Sequence, residues 1–224
     1  MFFRSENNPT VIDESLRSQL EQVSFATLGH YLEEGFIEPG IRRIVAGAGR
    51  VIGSAYTVRT TAMDSTALHH AVGHILPGQV LVLDTGGDRR HAPLGQVVAA
   101  QLAQRGAAGA VVDGVVTDIE EIAEAGLSVY ARGTSLLTTK LHGIDAGGIN
   151  IPISCGGSVV HPGDIVLADA NGVIIVSLEL IERAIQGALI DDAEEPGLIA
   201  EIRSGVPLGK LTGATDAIES FLVG

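Results

Sequence analysis

Tryptophan is missing from this chain of 224 residues, and aromatic residues make up only 4% of it. A core without many rings must come from Val, Ile, Leu and Ala, which favours layered α/β packing over an aromatic-rich β-sandwich. Cysteine occurs once, at Cys155, so no disulfide can close within the chain and a reducing compartment fits. With apolar and uncharged neighbours, Cys155 reads as a packed thiol rather than a reactive one. Positive charge is also scarce: 14 Lys and Arg against 27 Asp and Glu give a formal net charge of −13. A surface this acidic repels phosphate backbones, so no nucleic-acid partner is expected. No apolar run approaches transmembrane length, and Met1-Phe2-Phe3-Arg4-Ser5-Glu6 lacks the long apolar core of a signal peptide. A cytoplasmic protein without a membrane partner is the expectation.

What the chain does have is 46% hydrophobic residues and 29 glycines, arranged as short apolar runs between turns. Its length suits one domain, 1–224. Leu16, Leu20, Val23, Leu28 and Tyr31 recur at helical spacing and predict a helix over about 13–35, stopped by Gly35. Residues 42–59 read as strands, 65–75 as a short helix and 80–83 as a strand after the Pro77-Gly78 turn. Further strands are expected at 110–112, ending in Asp113-Gly114, and at 127–131, 151–160 and 165–167. Asn171-Gly172 reads as a two-residue hairpin turn. A helix over 178–189 is expected to end at the acidic stretch Asp191-Asp192-Ala193-Glu194-Glu195-Pro196, followed by a short helix and a loosely packed tail, about 191–224. A strand–helix–strand first half and a hairpin-rich second half predict helices over a mixed sheet, with a second sheet layer behind.

The most informative stretch is VLVLDTGGDRRHAPLGQVVAAQLAQRGAAGAVVDGVVTDIEEIAEAG, Val80 to Gly126. A small-residue helix opens at Gly95, and free backbone N–H groups at a helix start attract an anion. Gly95, Gln96, Val97 and Val98 are therefore candidates for binding a carboxylate. Asp118 starts another helix, and its carboxylate is a candidate ligand for a divalent cation beside them. With waters filling the other positions, such an oxygen-based site suits Mg²⁺ or Mn²⁺. The alternative for Asp118 is a first-turn acid favoured by the helix dipole. Asp113, at the expected strand end, either orients metal-bound water or simply closes an Asp-Gly turn. Thr117-x-x-Glu120 reads first as a capping box and second as a substrate contact.

The segments LGQVVAAQLAQRGAAGAVVDGVVTDIEEI, VYARG, SCGGSVVHPGDIVLADANGVIIV and IRSGVPL resemble the RraA-like family, over roughly Thr27 to Leu208. That family includes 4-hydroxy-4-methyl-2-oxoglutarate aldolases, oxaloacetate decarboxylases and regulators of ribonuclease activity. The resemblance implies an α/β/β sandwich of the swivelling-domain type and a homotrimer, or a hexamer of stacked trimers. In the aldolase branch it implies a carboxylate held by the N–H groups at Gly95–Val98 and a divalent metal at Asp118. It also implies a cationic substrate ligand where this chain has Thr117, and an acidic proton-handling group where it has Gln96. Thr offers one hydroxyl instead of a charged fork, and Gln cannot shuttle a proton. A glutamate from a neighbouring subunit, with Glu195 as candidate, completes the implied site.

Arg89 and Arg90, just upstream of the anion loop, are candidates to replace the absent arginine, Arg89 foremost; otherwise they are solvated loop charges. His70 and His74 share a helix face with His69 nearby, but no third ligand stands at a useful spacing, so they read as surface or subunit-contact residues. His91 is a lesser candidate proton carrier. Arg132 ends a strand and holds either a carboxylate or a subunit interface. Two function classes follow. The first is a divalent-metal-dependent lyase that releases pyruvate from a 2-oxo dicarboxylic acid. The second is a non-catalytic trimer that binds a partner protein or a small carboxylate.

Overall fold

The computed structural model describes residues 3–9, 11–61, 63–144 and 146–223. Its centre is a block of four parallel strands: β3 (Val51–Arg59), β4 (Gln79–Asp84), β5 (Gly109–Val116) and β6 (Val129–Thr134). Three short helices join them in turn: α3 (Thr66–Ala71), α4 (Gln96–Gln104) and α5 (Ile119–Glu124). Strand β2 (Arg42–Val45) closes one edge antiparallel to β6. At the other edge β7 (Gly148–Ile149) pairs antiparallel with the end of β3 and parallel with β1 (Arg4–Ser5).

Alternation along the strands creates the layers, because successive side chains point to opposite faces. Leu81 and Leu83 join Leu68, Ile75, Leu102 and Ile122 in the core beneath α3, α4 and α5. Val80 and Val82 face the other way, into a core shared with Ile153, Cys155 and Val166. That second core belongs to the hairpin β8 (Ile153–Cys155) and β9 (Ser158–Val160) and to β10 (Ile165–Ala168) and β11 (Val173–Val176). Strand β10 pairs antiparallel with the first half of β3, which links the two layers. The reverse face of β10–β11, with Ile165, Leu167, Ile174 and Val176, packs on α1 (Glu14–Gln22), α2 (Phe25–Leu28) and α6 (Leu178–Arg203). The expected α/β/β layering is present, with one further helical layer outside it. Cys155 is fully buried, and burial, with Asp113 and Asp84 nearby, pushes its thiol above the ordinary range. No helix of the described residues is long and apolar enough to cross a membrane.

Several local expectations give way to tertiary contacts. The helix expected over 13–35 is two helices, because the chain extends at Val23 and Ser24. Asp192 holds that break, accepting from the Ser24 N–H at 2.6 Å and the Thr27 hydroxyl at 2.5 Å. The stretch 151–160 is not one strand but a tight hairpin turned at Gly156-Gly157, both at positive φ. The turn at Asn171-Gly172 spans four residues, since the β10–β11 ladder ends at Ala168 and Val173. The acidic stretch 191–196 does not break the helix: α6 runs through it, Pro196 included. Beyond it lie α7 (Leu208–Leu211) and α8 (Ala214–Val223), two helices where one short helix was expected, with most of their described residues exposed.

Asp113-Gly114 is likewise not a strand end. Strand β5 continues to Val116, with a register shift against β6 between Val112 and Val115. This β-bulge puts one extra residue on β5 shortly before the strand ends, and Thr117 and Asp118 follow directly.

Candidate active site

Four loops leave the carboxyl ends of four neighbouring parallel strands: β3, β4, β5 and β6. Residues from all four line one open cleft of about 180 Å³. Ser65 and His69 come after β3, Gly95–Val98 after β4, Thr117 and Asp118 after β5, and Thr138–Leu141 after β6. Ligands of open α/β sheets bind at this end of the strands. Larger cavities lie elsewhere, one of about 260 Å³ against Phe25, Phe36 and Ile174 and mostly apolar, another of about 360 Å³ beside Asp191, Asp192 and Glu195; the smaller cleft is the one at the carboxyl ends of the parallel strands.

The cleft is drawn together by backbone pairing. Leu94 bridges Val116, and the Thr117 N–H donates to the Leu94 carbonyl at 3.0 Å. This sets Gly95 against Thr117 and Asp118. A Cβ on Gly95 would stand 2.5 Å from Asp118 Oδ2 and 2.8 Å from Thr117 Cγ2, so any larger residue there must displace the Asp118 side chain. The start of α4 leaves three donors without helical partners, because Ala99 is the first whose N–H reaches back, to Gly95. The Gln96 N–H donates to Asp118 Oδ2 at 2.9 Å. Those of Val97 and Val98 have no hydrogen-bond partner among the described residues.

Asp118 adopts left-handed backbone geometry, φ 54° and ψ 45°, one of two described non-glycine residues at positive φ. Aspartate tolerates this region better than most residues, at a cost of about 1 kcal/mol. The conformation starts α5 and turns the carboxylate back toward α4. Its second oxygen accepts from the Thr117 hydroxyl at 3.1 Å. The capping box expected at Thr117 and Glu120 therefore does not form: Asp118 occupies the cap position of α5, and Thr117 points its hydroxyl at Asp118.

Among the described residues no group of three His, Cys, Asp or Glu side chains could enclose an ion. One exposed carboxylate with a hydroxyl beside it suits a hard cation that keeps most of its water, and fits Mg²⁺ or Mn²⁺ better than a transition metal needing several side-chain ligands.

The structure brings Gly95, Gln96, Val97, Val98, Thr117 and Asp118 together. It does not bring in the other candidates. Asp113 lies within β5, one oxygen bound to Arg132 Nε and the other to the Gly156 N–H at 2.7 Å. Arg132, its side chain 9% exposed, also meets Glu38 at 2.8 Å, so it holds carboxylates of its own chain. Arg89 and Arg90 are exposed and outside the cleft lining. His91 pairs with Asp88 at 2.7 Å. Burial opposes ionisation of Asp88, yet hydrogen bonds from the His91 and Arg90 N–H groups and the His91 ring hold its carboxyl below the usual range. His70 and His74 stack with ring centres 4.5 Å apart. Glu195, a candidate for a neighbouring subunit's cleft rather than for this one, is exposed on α6 and does not line the cleft of its own chain.

His69, read from the sequence as a surface or subunit-contact residue, lines the cleft, and sequence reasoning missed Ser65, Thr138 and Lys140 as cleft residues. Their partners in the cleft are distant in sequence, and no local motif marks them.

Comparison with known proteins agrees with this architecture. The RraA-like family model, described as Aldolase/RraA, matches residues 9–175. A protein of Halalkalibacterium halodurans, provisionally named a 4-hydroxy-4-methyl-2-oxoglutarate aldolase, is 36% identical over 146 residues, 65% of this chain and 69% of that protein. An uncharacterized protein from Pseudomonas syringae pv. tomato shares the fold, with TM-score 0.78 and 23% identity over 93% of this chain and 98% of that one. Streptomyces coelicolor RraAS2, described as an unusual member of the RNase ES inhibitor RraA protein family, superposes with TM-score 0.72 and 26% identity over 88% of this chain and 98% of that one.

Proposed function

The chain belongs to the RraA-like family, and on that premise we propose that it is a divalent-metal-dependent lyase of the aldolase type. Its substrate is a 2-oxo dicarboxylic acid, cleaved by retro-aldol reaction, by decarboxylation or by both, with release of pyruvate. The observation that carries this reading is the facing pair: the open N–H groups of Val97 and Val98 at a helix start, and Asp118 beside them. The aldolase name of the Halalkalibacterium halodurans relative points the same way.

In this reading the Val97 and Val98 N–H groups receive the carboxylate next to the 2-oxo group. Thr117 holds the Asp118 side chain in orientation through its hydroxyl. Asp118 is the residue that would hold Mg²⁺ or Mn²⁺, which when bound supplies positive charge for the oxygens of the developing pyruvate enolate. Both bond cleavages leave the same enolate, so one site serves either. Gln96 can hydrogen-bond to substrate or water but cannot take a proton. Proton transfer therefore falls to water or to another group of the cleft. A homotrimer, or a hexamer of two stacked trimers, and a cytoplasmic location belong to the same reading.

The test is pyruvate release from oxaloacetate and from 4-hydroxy-4-methyl-2-oxoglutarate, with Mg²⁺ or Mn²⁺ and then with excess chelator. Release is expected to need metal and to vanish in a folded Asp118→Ala variant. Release no faster than with metal alone would favour the second reading, a non-catalytic binding protein. The superposition on a member of an inhibitor family supports that reading, as does the acidic charge, which suits a basic region of a partner protein.

A further inference from the structure

We propose that Lys140 receives the second carboxylate of the substrate and so makes the cleft selective for 2-oxo diacids over 2-oxo monoacids; this assignment rests on the lyase reading of the same cleft. The chain has two lysines, Lys140 and Lys210. Lys140 is the only Lys or Arg among the residues lining the cleft, where it joins the helix start and Asp118.

Its backbone is fixed on two sides. The Lys140 N–H donates to the Met63 carbonyl at 2.9 Å, and the Ser65 N–H donates to the Lys140 carbonyl at 3.0 Å. On the other side the Thr139 N–H reaches the Ala92 carbonyl at 3.3 Å, and the Ala92 N–H reaches the Leu137 carbonyl at 2.7 Å. Residues 137–140 thus lie between the entry to α3 and the entry to α4. Beyond Lys140, the chain wraps the buried Asp64 carboxylate, which accepts from the His142 N–H at 3.0 Å and the Ile144 N–H at 2.9 Å.

The ammonium group itself is uncommitted. It donates to the Thr138 hydroxyl at 3.1 Å, and no carboxylate of the described residues lies within ion-pair distance. In a chain with 27 acidic residues, a rigidly mounted cation without an acidic partner is available to an anion from solution. The other nearby cations are not: Arg132 is bound to Asp113 and Glu38, and Arg89 and Arg90 lie outside the lining. A lysine is a point charge on a flexible stem rather than a fixed fork. It can therefore meet second carboxylates at different distances from the 2-oxo group, so diacids of more than one length fit.

The experiment is calorimetric titration, with Mg²⁺ present, of wild type, Lys140→Ala and Lys140→Arg. One probe is 2-oxoglutarate, which lacks the hydroxyl that retro-aldol cleavage needs. The other is 2-oxopentanoate, the same skeleton with a methyl in place of the second carboxylate. Thermal melts check that each variant is folded. Wild type is expected to prefer the diacid about tenfold, the worth of one solvent-screened charged hydrogen bond. Lys140→Ala should bind the two alike, and Lys140→Arg should keep most of the preference. A preference that survives in Lys140→Ala overturns the assignment. So does wild type binding both probes equally, and in that case the cleft reading stands. Wild type binding neither probe removes the cleft reading and the assignment with it.

Discussion

Replacing Gly95 by Ala tests the contact on which the cleft depends. The added Cβ would sit 2.5 Å from Asp118 Oδ2 and 2.8 Å from Thr117 Cγ2. Thr117 is buried and tied by its backbone to Leu94, so it can yield little. Asp118 is exposed and must swing outward by close to 1 Å, which breaks its 2.9 Å bond to the Gln96 N–H. Losing that bond costs about 1 kcal/mol, and Ala is a poorer helix cap than Gly by about 0.5–1 kcal/mol. Residual crowding adds about 1 kcal/mol, and the stiffer unfolded chain returns about 0.5–1 kcal/mol. The net loss is about 2 kcal/mol, or about 4–8 °C in Tm for a chain of this size. Activity should fall much further, on the order of a hundredfold, because carboxylate and helix start separate by a distance that matters for chemistry. The control is Gly197→Ala in α6, where a Cβ would meet no atom within 4 Å. That change should stabilise by about 0.5–1 kcal/mol and leave activity alone. Urea unfolding followed by circular dichroism gives the stabilities, and coupled pyruvate detection gives the rates. A Gly95→Ala protein with wild-type stability and at least half the wild-type rate would refute the reasoning.

Asp113→Ala should act on stability rather than on chemistry. It leaves the half-buried Arg132 with Glu38 alone and the Gly156 N–H without its acceptor, a loss of about 2 kcal/mol visible in thermal melts. Full stability with no pyruvate release would return Asp113 to the reacting groups. Asp64→Asn should show a pH-dependent loss. Burial alone would raise the Asp64 carboxyl, but the Thr66 hydroxyl and the N–H groups of Ile144, His142 and Thr66 bring it down to about 2 from 3.8. The ionised form is thus the one favoured in the folded state, so the stabilisation is complete above about pH 4 and drains away as pH falls toward 2. The gap between wild type and Asp64→Asn, at most about 2 kcal/mol, should be constant from pH 7 to 5 and narrow below 4 in urea titrations. A gap that widens on acidification contradicts this account.

The sequence made legible whatever local signals decide. Val80–Leu83 is a short apolar run after Pro77-Gly78, and Gly95 precedes a small-residue helix; both lie where the pattern put them. Because those two elements carry the helix start, half of the cleft was readable. The misreadings share one cause, a strong local signal overruled from far along the chain. Asp113-Gly114 looks like a turn, yet pairing of Val115 and Val116 with β6 holds it in a strand. The acidic run at 191–196 looks like a break, yet Asp191 and Asp192 accept hydrogen bonds from Tyr31, Thr27 and Ser24, which use those charges inside the helical layer. Lys140 had no local signature at all, since its place in the cleft lining depends on its bridge with Asp64 and on that of Thr138 with Ala92.

The left-handed backbone at Asp118 sets what mutation and selection can do there. Glycine would occupy that conformation without strain, and asparagine nearly so, but neither carries a charge. Glutamate keeps the charge but is poorly suited to the backbone. No exchange is therefore both comfortable and conservative. A lineage that stopped using the carboxylate would recover about 1 kcal/mol of backbone strain by drifting to glycine and lose about as much with the bond from the Gln96 N–H, so drift in that direction is close to neutral. The residue found at this one position, compared across descendants of a common ancestor, thus records whether each still uses the cleft.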